Sequence, residues 1–358
     1  MIFNCKKPYN ELPLLPPKAE LETKAVLKQA IAANRVLANL RGLAARIPNQ
    51  SMLIQSVVLQ EARLSSEIEN IVTTNDELYR AAADPDSKTD PQTKEVLRYR
   101  QALNTGFQAL KHRPLSTNLF VEIVQEIKAV EIGIRKTTGT TLKNAVGETV
   151  YTPPEGESVI RDKLSNLEQF IHADDDIDPL VKMAIIHYQF EAIHPFEDGN
   201  GRTGRIINIL YLVEKGLLDI PVLFLSRYII ANKFDYYEGL RKVTEEQAWE
   251  QWILFMLRAL ESTAQQTFEQ VTRILDLMNQ AQEKVHLHAP NIYSKDLIEV
   301  IFRHPYTKIQ FLIDANIAKR QTASLYLQTL SELGILRSHK QGREVYYIND
   351  ALFDELIC

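Results

Sequence analysis

Twelve consecutive residues contain side chains that can move a proton, bind a metal ion and hold phosphate. The segment reads His194-Pro195-Phe196-Glu197-Asp198-Gly199-Asn200-Gly201-Arg202-Thr203-Gly204-Arg205. Because proline disfavours the α conformation in the residue before it, a helix is predicted to end at His194. The imidazole at this helix end is a base that is available near neutral pH. The segment therefore predicts acid–base chemistry beside a turn.

The residues after the histidine predict a cradle for an anion. Gly199 and Gly201 allow positive φ and a close approach of the backbone to a ligand. A helix is predicted to begin near Arg202, so its unpaired N–H groups and its positive dipole end face the loop. Arg202 and Arg205 lie on one side of the first turn, and each can bind phosphate oxygens in a fork. Asp198 suits Mg²⁺ held by one side chain, substrate phosphates and waters. Together they predict a nucleotide-phosphate site.

Two other interpretations explain less of this segment. A helix stop followed by a plain turn leaves the clustering of charged residues unexplained, and the segment lacks the G-x-x-x-x-G-K-[ST] pattern of P-loop proteins. A zinc site built from His187 and His194 has both ligands on one helical face. We expect Glu191, which lies between them, to be solvated, so the zinc interpretation is the weaker one.

The elements that must position these residues are mainly α-helices. Residues 11–18 are proline-rich and are predicted to be extended. Helical spacing of apolar residues then recurs in eight stretches. These stretches are residues 21–40, 52–70, 94–112, 116–131, 159–171, 179–193, 230–260 and 262–284. The helix after the histidine loop is predicted to run from about Arg202 to Lys215 and to end at Gly216.

Residues 135–154 break the helical pattern. Threonines come before Leu142, Gly147 marks a turn, and the β-prone residues 148–152 precede two prolines. Two β-prone arms around a glycine predict a hairpin. Because an isolated hairpin is only marginally stable, we expect it to act as a flap over a site rather than as core.

The tail is predicted to be a separate small domain. Short helices at 294–303 and 307–314, a longer helix at 317–333 and strands at 335–337 and 344–348 follow the order of a winged helix. The predicted divisions are a helical region at 1–112, a catalytic core at 113–285 and the winged helix at 286–358. Its basic residues are a candidate DNA-binding surface. They are Lys319, Arg320, Arg337, Lys340 and Arg343.

Composition limits the class of protein. The 358 residues are 45% hydrophobic and 24% charged, with a formal net charge of -5, so no overall basic field indicates nucleic acid or an anionic membrane. The two cysteines, Cys5 and Cys358, do not imply a disulfide framework. With no signal peptide and no apolar run long enough to cross a membrane, we expect a cytoplasmic protein.

The histidine segment resembles the signature of the Fic family of AMP-transferring enzymes. That signature is His-x-Phe-x-(Asp/Glu)-Gly-Asn-Gly-Arg-x-x-Arg, and residues 194–205 match every position. The resemblance extends over roughly residues 10–260. It implies a helical fold with a β-hairpin flap and transfer of AMP from ATP to a serine, threonine or tyrosine hydroxyl of a target protein, with release of pyrophosphate.

The resemblance also assigns roles to residues. His194 would deprotonate the hydroxyl, Phe196 would anchor the loop, and Asp198 would hold Mg²⁺ between the α- and β-phosphates. Arg205 would bind the terminal phosphate of ATP. The remaining phosphate-binding positions are Gly199, Asn200, Gly201 and Arg202, which form an anion hole, together with Thr203 and Gly204. Residues 232–240 resemble the nucleoside-contacting segment, with Asn232, Tyr236 and Tyr237 beside the adenine. The flap, residues 136–152, would pair with an extended segment of the target.

Residues 65–70 resemble the inhibitory helix of the same family, (Ser/Thr)-x-x-x-Glu-(Gly/Asn). Ser65, Glu69 and Asn70 occupy the matching positions. Glu69 would pair with Arg205, because a carboxylate offers an arginine the same fork as a phosphate.

Several alternatives for the function of the protein stay open: an ATP-sensing winged-helix DNA-binding regulator, removal of AMP, and transfer from another nucleotide donor. Members of the family often form homodimers.

Overall fold

The computed structural model describes residues 3–45, 47, 49–84, 89–341 and 344–357, with only the backbone described at 51–56 and 341. The fold is mainly helical, as the sequence predicts. Before the histidine loop the helices are α1 Lys24–Ala45, α2 Gln50–Ile68, α3 Asn75–Ala83, α4 Pro91–Ala109, α5 Thr117–Lys128, α6 Glu157–His172 and α7 Pro179–Ile193. After the loop come α8 Asn200–Glu214, α9 Leu225–Ala231, α10 Lys233–Glu246 and α11 Trp249–His288.

Helix α7 lies at the centre of the core. Thirteen of its fifteen residues are buried, as expected of a helix that is apolar on every face. It packs against α8, α6 and α11, while α2 packs against α4 and α9. Because α7 ends and α8 begins inside this core, the loop that joins them is held by rigid elements on both sides. Among the described residues, no helix combines the length and the apolarity that a membrane crossing requires.

One helical prediction was wrong in detail, and one helix was missed. The predicted break near residue 261 is absent, and α11 runs through it without interruption. The break lies at Gln247, which has a φ of 56° and donates its backbone N–H to the Val243 carbonyl. Helix α3 was not predicted, although Thr74 accepts a hydrogen bond from the Glu77 N–H. That Thr-x-x-Glu pattern is a capping box and could have revealed the helix.

The predicted hairpin is present but short. It consists of β1 Leu142–Lys143 and β2 Thr149–Tyr151, which pair antiparallel with a register shift. The turn is closed by Asn144, whose side-chain oxygen accepts hydrogen bonds from the N–H groups of Val146 and Glu148. The base of the hairpin is fastened to the core, because the Tyr151 hydroxyl donates to the Ala192 carbonyl at 2.8 Å.

The tail has the predicted order of three helices followed by a hairpin. Its elements are α12 Lys295–Arg303, β3 Tyr306–Thr307, α13 Ile309–Asp314, α14 Arg320–Glu332, β4 Arg337–Gln341, β5 Glu344–Ile348 and α15 Asp350–Ile357. The three strands form one antiparallel sheet in the order β3-β5-β4. Strand β3 and helix α15 were not predicted, β4 begins later than expected, and the turn residues Gly342 and Arg343 lie outside the described residues. Lys308 and Tyr346 both contact Asp84, so the tail docks beside α3.

Candidate functional site

The loop between α7 and α8 is fixed by backbone geometry and by one asparagine. His194 ends α7 in the left-handed region with a φ of 49°, and its N–H donates to the Phe190 carbonyl. The Asn200 side chain accepts from the Phe196 N–H at 2.9 Å and donates to the Phe196 carbonyl at 2.8 Å. The buried Phe196 ring packs against Phe190. Helix α8 begins at Asn200, two residues earlier than predicted, because Gly199 takes the N-cap position with a φ of 84°.

The His194 imidazole is held as a neutral base. Its Nδ1 is buried, and the Glu191 backbone lies close enough to the ring to favour its protonated form. Burial and the neighbouring Arg135 guanidinium lower the pKa of His194 to about 4, against the opposing effect of the Glu69 and Asp198 carboxylates. A neutral ring at pH 7 is the form that can accept a proton.

Both arginines of the motif are buried, and each one meets a carboxylate from the N-terminal helices. Arg202 donates to Glu95 on α4 at 2.6 Å. Arg205 donates through Nε to the Ser65 hydroxyl at 2.8 Å, and through Nη2 to the Ser65 carbonyl at 2.9 Å and to Glu69 at 2.8 Å. The contact between Glu69 and Arg205 that the resemblance implies is therefore present. Glu95 was not identified from the sequence, where it is an ordinary glutamate in a helix.

The Glu69 carboxylate lies directly on the first turn of α8. A Cβ atom added to Gly201 would be only 2.3 Å from Glu69 Oε1 and 3.0 Å from Arg205 Nη1. Burial by itself would raise the pKa of Glu69, but the Arg205 guanidinium outweighs it and lowers the pKa below its ordinary value. The carboxylate is thus ionised and lies where unpaired helix N–H groups favour an anion. Lys233 fixes this end of α2 by donating to the Ile68 carbonyl at 2.8 Å.

Asp198 is the residue of this loop that suits a divalent cation. Its side chain is 60% exposed and lies 2.6 Å from Lys128 Nζ and 3.6 Å from Arg202. Burial would raise the pKa of Asp198, and the bond to Lys128 more than offsets this, so the pKa falls and the carboxylate is ionised. The described residues contain no group of three or more histidine, cysteine or carboxylate side chains that would hold a metal. One exposed carboxylate fits Mg²⁺ if bound phosphates and waters supply the other oxygens.

The zinc interpretation is wrong. The buried His187 ring bonds to the Tyr236 hydroxyl at 2.8 Å and to the Asn208 amide at 3.0 Å, so both ring nitrogens are engaged. The expectation that Glu191 is solvated is also wrong. Its Oε1 is buried against Gly204 without a hydrogen-bond partner among the described residues, and burial raises its pKa to about 7.

Residues 232–240, which resemble the nucleoside-contacting segment, include both buried and exposed side chains. Tyr236 is buried against His187 and Trp252, so its ring belongs to the core. Tyr237 is 47% exposed and lies within electrostatic range of Glu69 and Arg205. The Asn232 amide donates to the Tyr228 carbonyl at 2.9 Å. Of the three predicted adenine-side residues, Tyr237 is therefore the one whose ring is exposed beside the phosphate cradle.

Four of the five basic residues of the predicted DNA-binding surface lie in the described part of the chain, and Arg343 lies outside it. Lys319, Arg320 and Lys340 are exposed. Arg337 makes two hydrogen bonds of 2.7 Å to the Asp350 carboxylate. Such a bidentate pair neutralises the guanidinium.

Substituting Gly199 tests whether the loop needs its left-handed N-cap. We expect Gly199→Ala to destabilise the fold by about 1–3 kcal/mol, because its φ disfavours a side chain. The new Cβ would also lie 2.9 Å from Val124. Gly42→Ala, in α1 with open space around the added Cβ, should instead stabilise by about 0.5–1 kcal/mol. Thermal unfolding of both variants measures the difference, and equal melting temperatures would contradict the expectation.

Sequence models of known families match three parts of the chain. The model described as Fic/DOC family N-terminal matches residues 27–108, and the one described as Fic/DOC family matches residues 114–212. The model for the C-terminal domain of SoFic-like protein adenylyltransferases matches residues 277–352. The first two models together cover about half of the chain, including the histidine loop and Glu69.

Individual relatives carry names from the same family. A probable protein adenylyltransferase of Aquifex aeolicus is 36% identical over 96 residues, which are 27% of this chain and 29% of that protein. A protein adenylyltransferase of Nematostella vectensis is 30% identical over 114 residues, which are 32% of this chain and 25% of that protein. The chain thus spans less than a third of the length of these curated relatives.

Solved structures share the fold. A Fic family protein from Desulfovibrio desulfuricans superposes with a TM-score of 0.58 at 19% identity, over 93% of this chain and 98% of that one. A Fic domain containing signaling protein from Bacteroides thetaiotaomicron superposes with a TM-score of 0.54 at 18% identity, over 68% of this chain and 96% of that one. Because the Fic/DOC family models together match about half of the chain, we conclude that this chain belongs to the Fic/DOC family.

Proposed function

We propose that this protein is a protein adenylyltransferase that transfers AMP from ATP to a hydroxyl group of a target protein. The observation that carries the proposal is the placement of a neutral histidine beside a helix N-terminus with two buried arginines. His194 ends α7, and α8 begins only six residues later at Asn200, with Glu69 on its first turn. A base and a polyphosphate cradle therefore belong to one site. The names of the Aquifex and Nematostella relatives support the same activity.

The reaction follows from the roles of these side chains. His194 accepts the proton of the target hydroxyl as the oxygen attacks the α-phosphorus of ATP in line. The new O–P bond forms while the bond between the α-phosphorus and the bridging oxygen breaks, and pyrophosphate leaves with that electron pair. Arg202 and the N–H groups of α8 stabilise the negative charge on the α-phosphate, while Arg205 binds the terminal phosphate. Mg²⁺ held by Asp198 would supply charge neutralisation across the phosphates.

The same geometry supports autoinhibition. Arg205 makes two hydrogen bonds to Ser65 on α2 and one to Glu69, the residue that caps this helix. A terminal phosphate needs the guanidinium face that Glu69 engages, and its charge repels the carboxylate. We therefore propose that ATP binds in an unproductive position until Glu69 moves away from Arg205.

The target would dock on the flap. Residues 142–143 and 149–151 form only a two-stranded ladder, so an extended target segment can add to its free edge. Val146 and Val150 are exposed on this hairpin and offer apolar contacts. Tyr151, at the foot of the flap, bonds to Ala192. Because Ala192 lies two residues before His194, this contact brings a docked hydroxyl toward His194.

A labelling experiment separates this function from its rivals. The purified protein is incubated with Mg²⁺, cell lysate and ATP labelled on either the α- or the γ-phosphate. Retained α-label on protein, with pyrophosphate released, is the expected result. Retained γ-label would show phosphate transfer instead. Loss of AMP from previously labelled proteins would show the reverse reaction, and ATP binding without either label would favour a nucleotide sensor.

A further inference from the structure

Arg135 is a buried arginine that joins the flap to the histidine loop. Its Nε donates to the His194 carbonyl at 2.8 Å, and its Nη2 donates to the Pro154 carbonyl and, at 3.4 Å, to that of Ile193. Its backbone N–H donates to the Pro195 carbonyl at 2.9 Å. The guanidinium thus links the end of α7, at Ile193 and His194, to Pro154 in the segment that follows the flap.

These contacts act on a backbone conformation that needs support. His194 is a non-glycine residue with a φ of 49° and a ψ of 60°. A left-handed conformation is unfavourable for such a residue and persists only where the surroundings hold it. The carbonyl that Arg135 binds belongs to this same residue. Releasing it would let the peptide rotate and move the imidazole.

The charge of Arg135 also affects His194, because it lowers the pKa of the imidazole. Arg135 is 2% exposed, and its guanidinium donates to carbonyl oxygens. Burial lowers the pKa of Arg135, and the nearby Glu155 carboxylate partly offsets this. The Glu191 backbone and the Glu69 and Asp198 carboxylates favour the protonated ring, and the Arg135 charge opposes them.

We propose that Arg135 is the positioning residue of the active site, which couples the target-binding flap to His194 and holds the imidazole in place. The role rests on the proposed function above, since it serves proton transfer to His194. Arg135 contacts neither the phosphate cradle nor Asp198, so it acts through His194 and the flap. A purely structural arginine would stabilise the fold without affecting the ionisation of His194.

The test uses the full chain with Glu69→Gly in every variant, so that inhibition does not mask the rate. Arg135→Lys keeps the positive charge but cannot bridge the three carbonyls. Arg135→Met removes both the charge and the hydrogen bonds. Arg161→Met is the control, because Arg161 is an exposed arginine that pairs with Glu157 on its own helix. For each variant we measure kcat, KM for ATP, thermal unfolding and the pKa of His194 by NMR of the imidazole.

We expect kcat to fall between about tenfold and a hundredfold in both Arg135 variants, because small displacements of a catalytic group have effects of this size. KM for ATP should stay within about twofold, since the cradle is untouched. The pKa of His194 should rise in Arg135→Met but stay low in Arg135→Lys. Arg161→Met should match the parent in all measurements. If Arg135→Met does not fold, the kcat of Arg135→Lys tests the proposal.

A folded Arg135→Lys that keeps the parent kcat would overturn the proposal. So would an unchanged His194 pKa in folded Arg135→Met. The NMR measurement also separates the two proposals. If no variant transfers AMP but the pKa still rises in Arg135→Met, the proposed function fails while the coupling between Arg135 and His194 stands.

Discussion

Replacing Glu69 with glycine is expected to raise the rate of AMP transfer by about tenfold or more. The substitution removes the carboxylate that lies 2.8 Å from Arg205 Nη2 and covers the first turn of α8. It leaves the Ser65 contacts of Arg205, which orient the guanidinium toward the site. Initial rates with α-labelled ATP and saturating Mg²⁺ measure the effect.

The size of the effect follows from the contact that is lost. A hydrogen bond between charged groups contributes about 1.5–3 kcal/mol, which corresponds to roughly ten- to more than a hundredfold in an equilibrium. Because the Glu69 carboxylate has a lowered pKa, it stays ionised between about pH 5 and 8. The ratio of the variant rate to the wild-type rate should therefore be constant over this range.

Glu67→Gly provides a matched control for the glycine itself. Glu67 lies in the last turn of the same helix and pairs with Arg63 rather than with the motif. The control variant should keep the low wild-type rate. Equal rates for wild type and Glu69→Gly, with ATP bound by both, would contradict the inhibitory role.

Replacing His194 with alanine in the Glu69→Gly protein is expected to lower AMP transfer by about 10²–10⁴-fold, the range of general base catalysis. ATP binding should persist, because the cradle is formed by α8 and its arginines. Calorimetric titration with ATP checks binding, and the labelling assay checks the rate. An unchanged rate at saturating ATP would contradict the assignment of His194 as the base.

The pH dependence gives an independent check on the same residue. Burial, and then Arg135, lower the pKa of His194 to about 4, so the ring is in its basic form at every pH well above that value. The rate should be flat from about pH 6 to 8 and should fall only as the pH approaches the pKa. A fall centred near the ordinary histidine pKa of about 6.5 would show that the base is solvated during catalysis. His112→Ala, which changes an exposed histidine, should leave the profile unaltered.

The local parts of the site were predictable because they are contiguous in the chain. Histidine, carboxylate, glycines and arginines between residues 194 and 205 share one loop and one helical turn, so their proximity follows from spacing alone. The helical class and the flap followed from periodicity and from the β-prone arms around Gly147. Glu69 became recognisable only through a short signature combined with that loop, since six residues near a helix end have little meaning by themselves.

Long-range packing decided the other contacts of the site, because it joins residues whose types and positions in the sequence do not indicate a role. Arg135, Glu95 and Lys128 are ordinary charged residues in the sequence, and the fold brings their charges to His194, Arg202 and Asp198. The burial of Tyr236 but not Tyr237 likewise depends on tertiary packing, because Trp252 of α11 packs against the Tyr236 ring. The sequence alone thus determined which side chains come together in one loop. The tertiary structure determined which distant charges hold its base, arginines and carboxylate, because these contacts exist only between helices that are far apart in the chain.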